Sequence, residues 1–397
     1  MVSNTQPLQP SFAKASAGRV KVAIIVGARP NFMKAAPILK AMKQNGSFEP
    51  VLIHTGQHYD ALMSDVFFKD LDMPAPDIFL GIGSGTHAEQ TAKIMLAKEK
   101  YLIEMKPDLV LVVGDVNSTL AAALTAAKLN IPVAHVEAGL RSGDRTMPEE
   151  INRLLTDQIS DLLFTTEPSG AENLKREGVA PEKIHFVGNT MIDSLIQNLP
   201  KIENSKILEK LNLQKGKYAA LTLHRPSNVD TKEGLEKIFQ ALEPVLKKIA
   251  SQNMSVVFPV HPRTRAKIAE FFPQLQLVGL IFTEPLGYSE FIKLVQLSRF
   301  TITDSGGIQE ETSVLGVPCL TLRNSTERPI TIEVGTNTLI TDQELSRGKL
   351  QAEVDKILSG QYKQGKIPDL WDGKAAERIV AILSKIKPKS QSLKAIS

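Results

Sequence analysis

The chain of 397 residues has a single cysteine, Cys319, which excludes an intramolecular disulfide. It lies inside the apolar run from Val317 to Leu322 and reads as a buried small hydrophobe in a cytoplasmic protein. No run is long and apolar enough to span a bilayer, so membrane insertion is not expected. Met1 to Gly18 has no apolar core of signal-peptide length and reads as a loose leader. A strong charge of one sign is missing too. The formal charge of +4 is carried by a tail with Lys385, Lys387, Lys389, Lys394 and no acid, and without it the body is neutral. That excludes a basic stripe for nucleic acid. No histidine, cysteine and carboxylate spacing matches a zinc site, and no serine sits in a nucleophile elbow, so metal-free chemistry is expected.

What is present is a repeated alternation of buried strands and helices. Apolar runs at Val20 to Val26, Val51 to His54, Leu109 to Val113, Val133 to Val136, Leu162 to Thr165 and Ile184 to Val187 alternate with helical patterns. The pattern restarts at Tyr218 to Leu223 and continues through Ser255 to Val260, Leu277 to Phe282, Phe300 to Ile302 and Pro318 to Leu322. Unbroken apolar strands separated by helices imply parallel sheets covered on both faces. Further helices are expected at Asp342 to Leu358 and Gly373 to Ile386, and Thr86 with Glu89 has capping-box spacing. The division expected is a leader over 1–19, a Rossmann-like domain over 20–199, a linker over 200–217, a second such domain over 218–370, a C-terminal helix over 371–386 packing back on the first domain, and a mobile basic tail over 387–397. Gly81 to Gly85 is a weak dinucleotide hint, because Asp77 to Leu80 makes a poor strand; it reads as a loop.

The chain is organised around Thr303-Asp304-Ser305-Gly306-Gly307-Ile308-Gln309-Glu310-Glu311, a strand-turn-helix joint. Gly306 and Gly307 put no Cβ in the way of a ligand, and the free N–H groups of the new helix favour an anion. Glu310 and Glu311 suit bare phosphate poorly, but a carboxylate further along can accept from a ribose diol. The other reading is an ordinary αβ corner whose acids complement the helix dipole. In parallel sheets ligands sit beyond the carboxyl ends of strands. Asp115 and Glu137 each end a strand, and Glu149 opens a helix; together they offer the carboxyls that proton transfer needs, or else they pair with Arg141, Arg145 or Arg153. Arg29, His224 and Arg225 also follow strands and can donate to a diphosphate, and two domains facing a central cleft would set Arg29 and His224 on opposite walls. His261 at another strand end is an intermediate case, whereas His58, His87 and His185 read as satisfied core histidines.

Taken together these residues resemble the non-hydrolysing UDP-N-acetylglucosamine 2-epimerases. The matching segments are Gly27 to Lys34, Thr55 to His58, Gly114-Asp115, His135 to Arg141, Pro148 to Arg153, Gly188-Asn189, His224-Arg225 and Asp304 to Glu311. The resemblance implies a GT-B architecture, a homodimer, a UDP-sugar substrate, and a redox-neutral reaction that needs no cofactor. UDP leaves across C-1 and C-2 to give a 2-acetamidoglucal and adds back with the proton delivered to the other face. Carried over by position, the catalytic group is Asp115, Glu137, Glu149, Lys34 and His224. Arg29, His224, Ser305 and Gly306 hold the diphosphate, Glu311 takes the ribose diol, and Arg141, Arg225, His261 and Gly307 complete the binding set.

Two departures qualify the match. Pro226-Ser227 replaces the usual arginine-glutamate pair after His224-Arg225, though Asn228 remains. Tyr59 to Asp65 and Pro262-Arg263 stand where substrate-activated bacterial enzymes carry a glutamine-rich helix and an asparagine, so activation by substrate is not expected. Tyr59 to Phe68 looks like relatives acting on UDP-diacetamido-uronic acids, which leaves the sugar open. Competing readings are an epimerase of that uronic acid, a hydrolysing relative, a GT-B glycosyltransferase and a non-catalytic nucleotide-sugar sensor.

Overall fold

Strands buried on both faces need no polar alternate residue, and the aliphatic runs form them as expected. The structure is a computed structural model that describes residues 18–57 and 73–388, without the side chain of Arg29. The leader, His58, the stretch from Tyr59 to Phe68 with the helix expected there, and the end of the basic tail lie outside the described residues. The chain forms two compact units. One comprises residues up to Leu140, Arg145–Thr190 and residues from Lys374 onward; the other comprises Arg141–Asp144 and Met191–Gly373.

Among the described residues the first unit holds seven parallel strands: β1 (Val20–Val26), β2 (Phe48–His54), β3 (Ile78–Phe79), β4 (Leu109–Val113), β5 (Val133–Val136), β6 (Leu162–Thr165) and β7 (Ile184–Phe186), in the order β3-β2-β1-β4-β5-β6-β7. Ile24 of β1 lies opposite Leu52 of β2 on one side and Leu111 of β4 on the other. The second unit holds β8 (Tyr218–Thr222), β9 (Ser255–Pro259), β10 (Leu280–Thr283), β11 (Thr301–Thr303), β12 (Cys319–Leu322) and β13 (Asn337–Ile340), ordered β10-β9-β8-β11-β12-β13. In each sheet the chain works outward from one central strand and then resumes on that strand's other side. The loops after β1 and β4, and after β8 and β11, therefore diverge and leave a crevice at the strands' carboxyl ends.

Helical spacing supplies the covers. The Lys232–Ala250 helix buries Leu235, Ile238, Phe239, Leu242, Val245, Leu246 and Ile249 in one core with Val256 and Phe258 of β9. The Ala375–Leu383 helix packs on the Arg29–Asn45 helix of the first unit, and Arg378 donates to the Val187 carbonyl at 3.0 Å. Cys319 is fully buried, and burial pushes its thiol up to about 11.

The structure departs from the sequence reading in four places. Ile78–Phe79 is a short strand on the sheet edge, paired with β2, within the stretch Asp77 to Leu80 that reads as a poor strand. Asn337–Ile340 is a strand that its polar Asn337 and Thr338 disguise; the buried Asn337 amide is satisfied by Gln309 Oε1 at 3.1 Å. The helix expected over Asp342 to Leu358 is two, Asp342–Ser346 and Lys349–Leu358, broken at Gly348 with φ +79°. Pro200 does not end its helix, which runs Thr190–Glu203. Proline costs a helix the hydrogen bond to the carbonyl four residues earlier, and only one turn remains to be disturbed.

His54 ends β2, fully buried, and its Nδ1 accepts from the Gly56 N–H at 2.7 Å. A proton on Nδ1 would face that N–H, and burial holds the ring's pKa down to about 4 from 6.5. The folded state then binds fewer protons than the unfolded chain between these values, so this stabilisation is complete above pH 6.5 and is lost as pH falls toward 4. The expected loss is on the order of 3 kcal/mol. Denaturant titrations at pH 7 and 4.5 should show a steeper acid loss for the wild type than for His54→Asn, whose amide oxygen keeps the acceptor; equal slopes would refute this.

Candidate active site

In the first unit the site is built on the crevice between β1 and β4. Asn31, in the first turn after β1, accepts from the N–H groups of Gly27 and Ala28, both at 3.1 Å, and donates to the Val113 carbonyl at 2.9 Å. One side chain thus ties the β1 loop to the end of β4. Lys34 lies three residues on along the same helical face. Its Nζ forms a buried ion pair with Glu137 and sits 3.0 Å from where a Cβ on Gly114 would be. Gly114 has φ +67°, so the close approach and the backbone both require glycine. Glu137 itself has φ +73°, uncommon for a residue with a side chain. The N–H groups of Glu137 and Ala138 both donate to the Phe164 carbonyl at 3.0 Å and hold the turn. Local strain of this kind gathers where a side chain must be aimed.

Asp115 follows directly. Arg153 donates to its Oδ2 through Nε (3.1 Å) and Nη2 (2.6 Å), while Nη1 engages Glu150 at 2.7 Å. Asn152 donates to the Asp115 carbonyl at 2.9 Å. Asp115 keeps 23% of its side chain exposed, against 5% for Glu137, so it is clamped but still accessible. Beneath it His135 spans two acceptors, the Gly114 carbonyl at 2.8 Å and Asp157 at 2.7 Å. Glu149 is half-buried on the first turn of the Pro148–Ile159 helix, one turn from Asn152 and Arg153.

In the second unit the crevice between β8 and β11 is organised by Asp304, which is fully buried. Its carboxylate accepts from the N–H of His224 (3.1 Å), the N–H of Arg225 (2.9 Å), the Asn228 amide (3.1 Å) and His224 Nδ1 (2.8 Å). Burial alone would raise its pKa, but the bonds from His224, Arg225 and Asn228 outweigh it and hold the carboxyl below the usual range. The His224 ring is left about half exposed above this anchor. Ser305 stands at the N-cap position of the Gly306–Leu315 helix without a capping bond from its side chain, and a Cβ on Gly306 would stand 3.0 Å from Arg328 Nη1. Arg328 pairs with Glu310 at 2.7 Å and with Glu327 at 2.6 Å, and Glu327 also receives Arg323 at 2.8 Å. Glu310 is thereby neutralised beside the Gly306–Gly307 turn. Glu311 is buried and accepts from Tyr288 at 2.9 Å.

The structure brings Lys34, Glu137 and Gly114 together in one unit with Asp115 next in the chain, and His224, Arg225, Ser305 and Gly306 together in the other. Gly307 follows in the same turn, with Met191 Cε 3.4 Å from its would-be Cβ. His261 is exposed and caps the Pro262–Phe271 helix, its Nδ1 accepting from Arg263 N–H at 3.3 Å. Arg141 belongs to the short stretch that groups with the second unit. The Arg29 side chain is outside the described set. Sequence reasoning missed Asn31, the His135–Asp157 pair and Arg328. An Arg-Pro following a strand marks Arg29, Arg225 and Arg328 alike, and that repeat was the available signal. Among the described residues no three His, Cys, Asp or Glu side chains gather closely enough to hold a metal ion.

Two parallel sheets in Rossmann order, one opening onto the glycine-rich helix start at Gly306 and one with Asp115 and Glu137 following strands at its switch point, define a GT-B-type enzyme. The chain belongs to the UDP-N-acetylglucosamine 2-epimerase family, whose profile matches residues 40–384. It is 45% identical over 371 residues to the UDP-N-acetylglucosamine 2-epimerase of Methanocaldococcus jannaschii, covering 92% of this chain and 99% of that one. The crystal structure of the Methanocaldococcus jannaschii UDP-GlcNAc 2-epimerase in complex with UDP-GlcNAc and UDP superimposes with a TM-score of 0.83 at 44% identity, covering 92% of this chain and 100% of that one. It is also 42% identical over 323 residues to the UDP-2,3-diacetamido-2,3-dideoxy-D-glucuronate 2-epimerase of Pseudomonas aeruginosa, covering 81% of this chain and 88% of that relative.

Proposed function

We propose that this protein inverts C-2 of UDP-N-acetylglucosamine to give UDP-N-acetylmannosamine, without hydrolysis. The observation that carries this reading is the buried Lys34–Glu137 pair beside Gly114 and Asp115, an acid-base group aimed by a strained turn. The second unit holds UDP: Arg225, His224 and the Gly306 helix start meet the diphosphate, and Glu311 meets the ribose diol. The C-2 proton and UDP are lost together across C-1 and C-2, giving the 2-acetamidoglucal and UDP. Re-addition of UDP at C-1 and of a proton to the opposite face of C-2 completes the inversion. Asp115, Glu137 and Glu149 supply the proton acceptor and donor and stabilise the positive character at C-1. Lys34 fixes Glu137, and Arg153 fixes Asp115.

A diacetamido-uronate substrate is the second reading, favoured by the 42% identity with the Pseudomonas aeruginosa enzyme. The working form is a homodimer, a reading supported by Leu96, Ile103 and Leu155, large apolar side chains exposed on helices of the first unit. A cytoplasmic setting is supported by the single buried thiol. The deciding experiment is proton NMR with UDP-N-acetylglucosamine in deuterated water. The manno epimer with deuterium at C-2 is expected. Free UDP with free mannosamine sugar would mean hydrolysis, and no change would shift the assignment to the uronic acid.

A further inference from the structure

The His87–Met105 helix of the first unit turns one lysine inward. Lys98 stands one turn from Ile94 on one side and from Leu102 on the other, and all three are buried, Lys98 with no exposed surface at all. Long basic side chains ordinarily bury the stem and carry the charged head to water. Here the head is inside, and its Nζ has no hydrogen-bond partner among the described residues. Leu102 and Met105 continue the same face into a core with Ala122, Ala123 and Ala126 of the Asn117–Lys128 helix and with Ala23 of β1 and Val110 of β4.

None of the charged groups on the elements around it pairs with Lys98. The Asn117–Lys128 helix has only Lys128, which is exposed, and β4 has none. Lys21 of β1 pairs with Glu49 of β2 at 3.2 Å, and Asp108 ahead of β4 accepts from the Lys21 N–H at 2.8 Å. His54 at the end of β2 lies against Phe32. On the helix itself His87, Glu89, Lys93, Glu99, Lys100 and Glu104 are exposed and Tyr101 is half-buried. An ammonium without water, counter-charge or acceptor gives up its proton instead, and burial alone holds the Lys98 amine well below its ordinary value of 10.5.

The buried face that carries Lys98 also reaches the active-site loop. Gln90, two turns before Lys98, donates to the carbonyls of Gln57 (3.1 Å) and Gly83 (3.0 Å), and its Oε1 accepts from Asn117 at 2.8 Å. Asn117 in turn accepts from Asn152 at 3.2 Å, and the same Asn152 amide holds the Asp115 carbonyl at 2.9 Å. How firmly this helix docks therefore bears on how firmly the Asp115 loop is held.

We propose that Lys98 is a pH-sensitive latch, through which the docking of the His87–Met105 helix, and with it the order of the Asp115 loop, loosens as pH falls. Opening the helix exposes the amine. Between its folded value and 10.5 the exposed amine takes up a proton that the docked one lacks, so the latch is tightest above that window and weakens as pH falls through it.

The test is amide hydrogen exchange by mass spectrometry on the full chain at several pH values from about 7.5 to 9.5, corrected for the intrinsic rate and read where the isotope envelopes stay unimodal. In the wild type the opening constant of the 87–105 helix should fall about tenfold per pH unit, because one proton is taken up on opening, and residues 114–119 should follow it. Lys98→Met keeps the apolar stem without the amine. It should protect both segments more strongly than the wild type, by a margin that shrinks as pH rises, and its own opening constant should stay flat. Equal pH slopes in the wild type and Lys98→Met overturn the proposal, since the amine is then charged inside the fold. A variant less protected than the wild type at every pH overturns it as well, because the amine then makes a bond the helix needs. A helix that responds while residues 114–119 do not overturns the link to the Asp115 loop.

Discussion

Glu137→Gln is expected to lower turnover of UDP-N-acetylglucosamine by about 10³-fold or more, with UDP affinity within a few-fold of the wild type. The amide preserves the shape of the side chain and the φ +73° turn, because the N–H groups of Glu137 and Ala138 still bond Phe164. What it removes is the group that takes or returns a proton, together with the negative charge facing Lys34. Lys34 is 5% exposed and would be left as a buried cation with only an amide oxygen to meet. Losing one partner of a buried pair costs about 3–5 kcal/mol at most, so part of the loss could come from unfolding. The double variant Lys34→Met, Glu137→Gln separates the two effects. It should regain stability in a thermal melt and regain no turnover. Single-variant turnover close to wild type, measured by NMR of the C-1 protons, would remove Glu137 from the acid-base group.

Much of this site was legible because its chemistry depends on strand ends. Asp115 and Glu137 could be placed at the ligand edge from the apolar runs before them, and Gly306 at a helix start from the joint around it. Arg153 stood among the possible partners of the acids and does pair with Asp115, but the other supports were not legible. Asn31 reaches across 82 residues to Val113, and Arg328 across 18 to Glu310. Contacts of that separation are set by strand order, which periodicity does not encode. The strand at Asn337–Ile340 escaped for a related reason. Its Asn337 is tolerated inside because Gln309 and Thr331 reach it, and Thr338 meets the Tyr362 hydroxyl, so its burial pattern follows from tertiary partners rather than from composition. Pro200 and Gly348 show the opposite error in local rules: the proline sits where one lost bond is tolerable, and the glycine breaks what the hydrophobic spacing reads as continuous.

Asp304→Asn should be the most damaging conservative change in the second unit. Asp304 accepts from two backbone N–H groups, the Asn228 amide and His224 Nδ1, all of them donors. An asparagine has one oxygen to offer and turns its own NH₂ against the rest, leaving buried donors unpaired. Each costs about 1–3 kcal/mol, so a loss of about 2–4 kcal/mol is expected in chemical denaturation. The same bonds aim His224 and Arg225, and UDP affinity by calorimetry should fall by at least about tenfold. The pH dependence carries a separate signature. Because the folded carboxyl lies below its ordinary value of 3.8, its contribution is present above that value and is lost as pH falls through the folded one. The variant should lack this part of the acid limb. A variant as stable as wild type that binds UDP equally well would show that the loop holds its shape without Asp304; a variant that is less stable yet binds normally would confine Asp304 to folding.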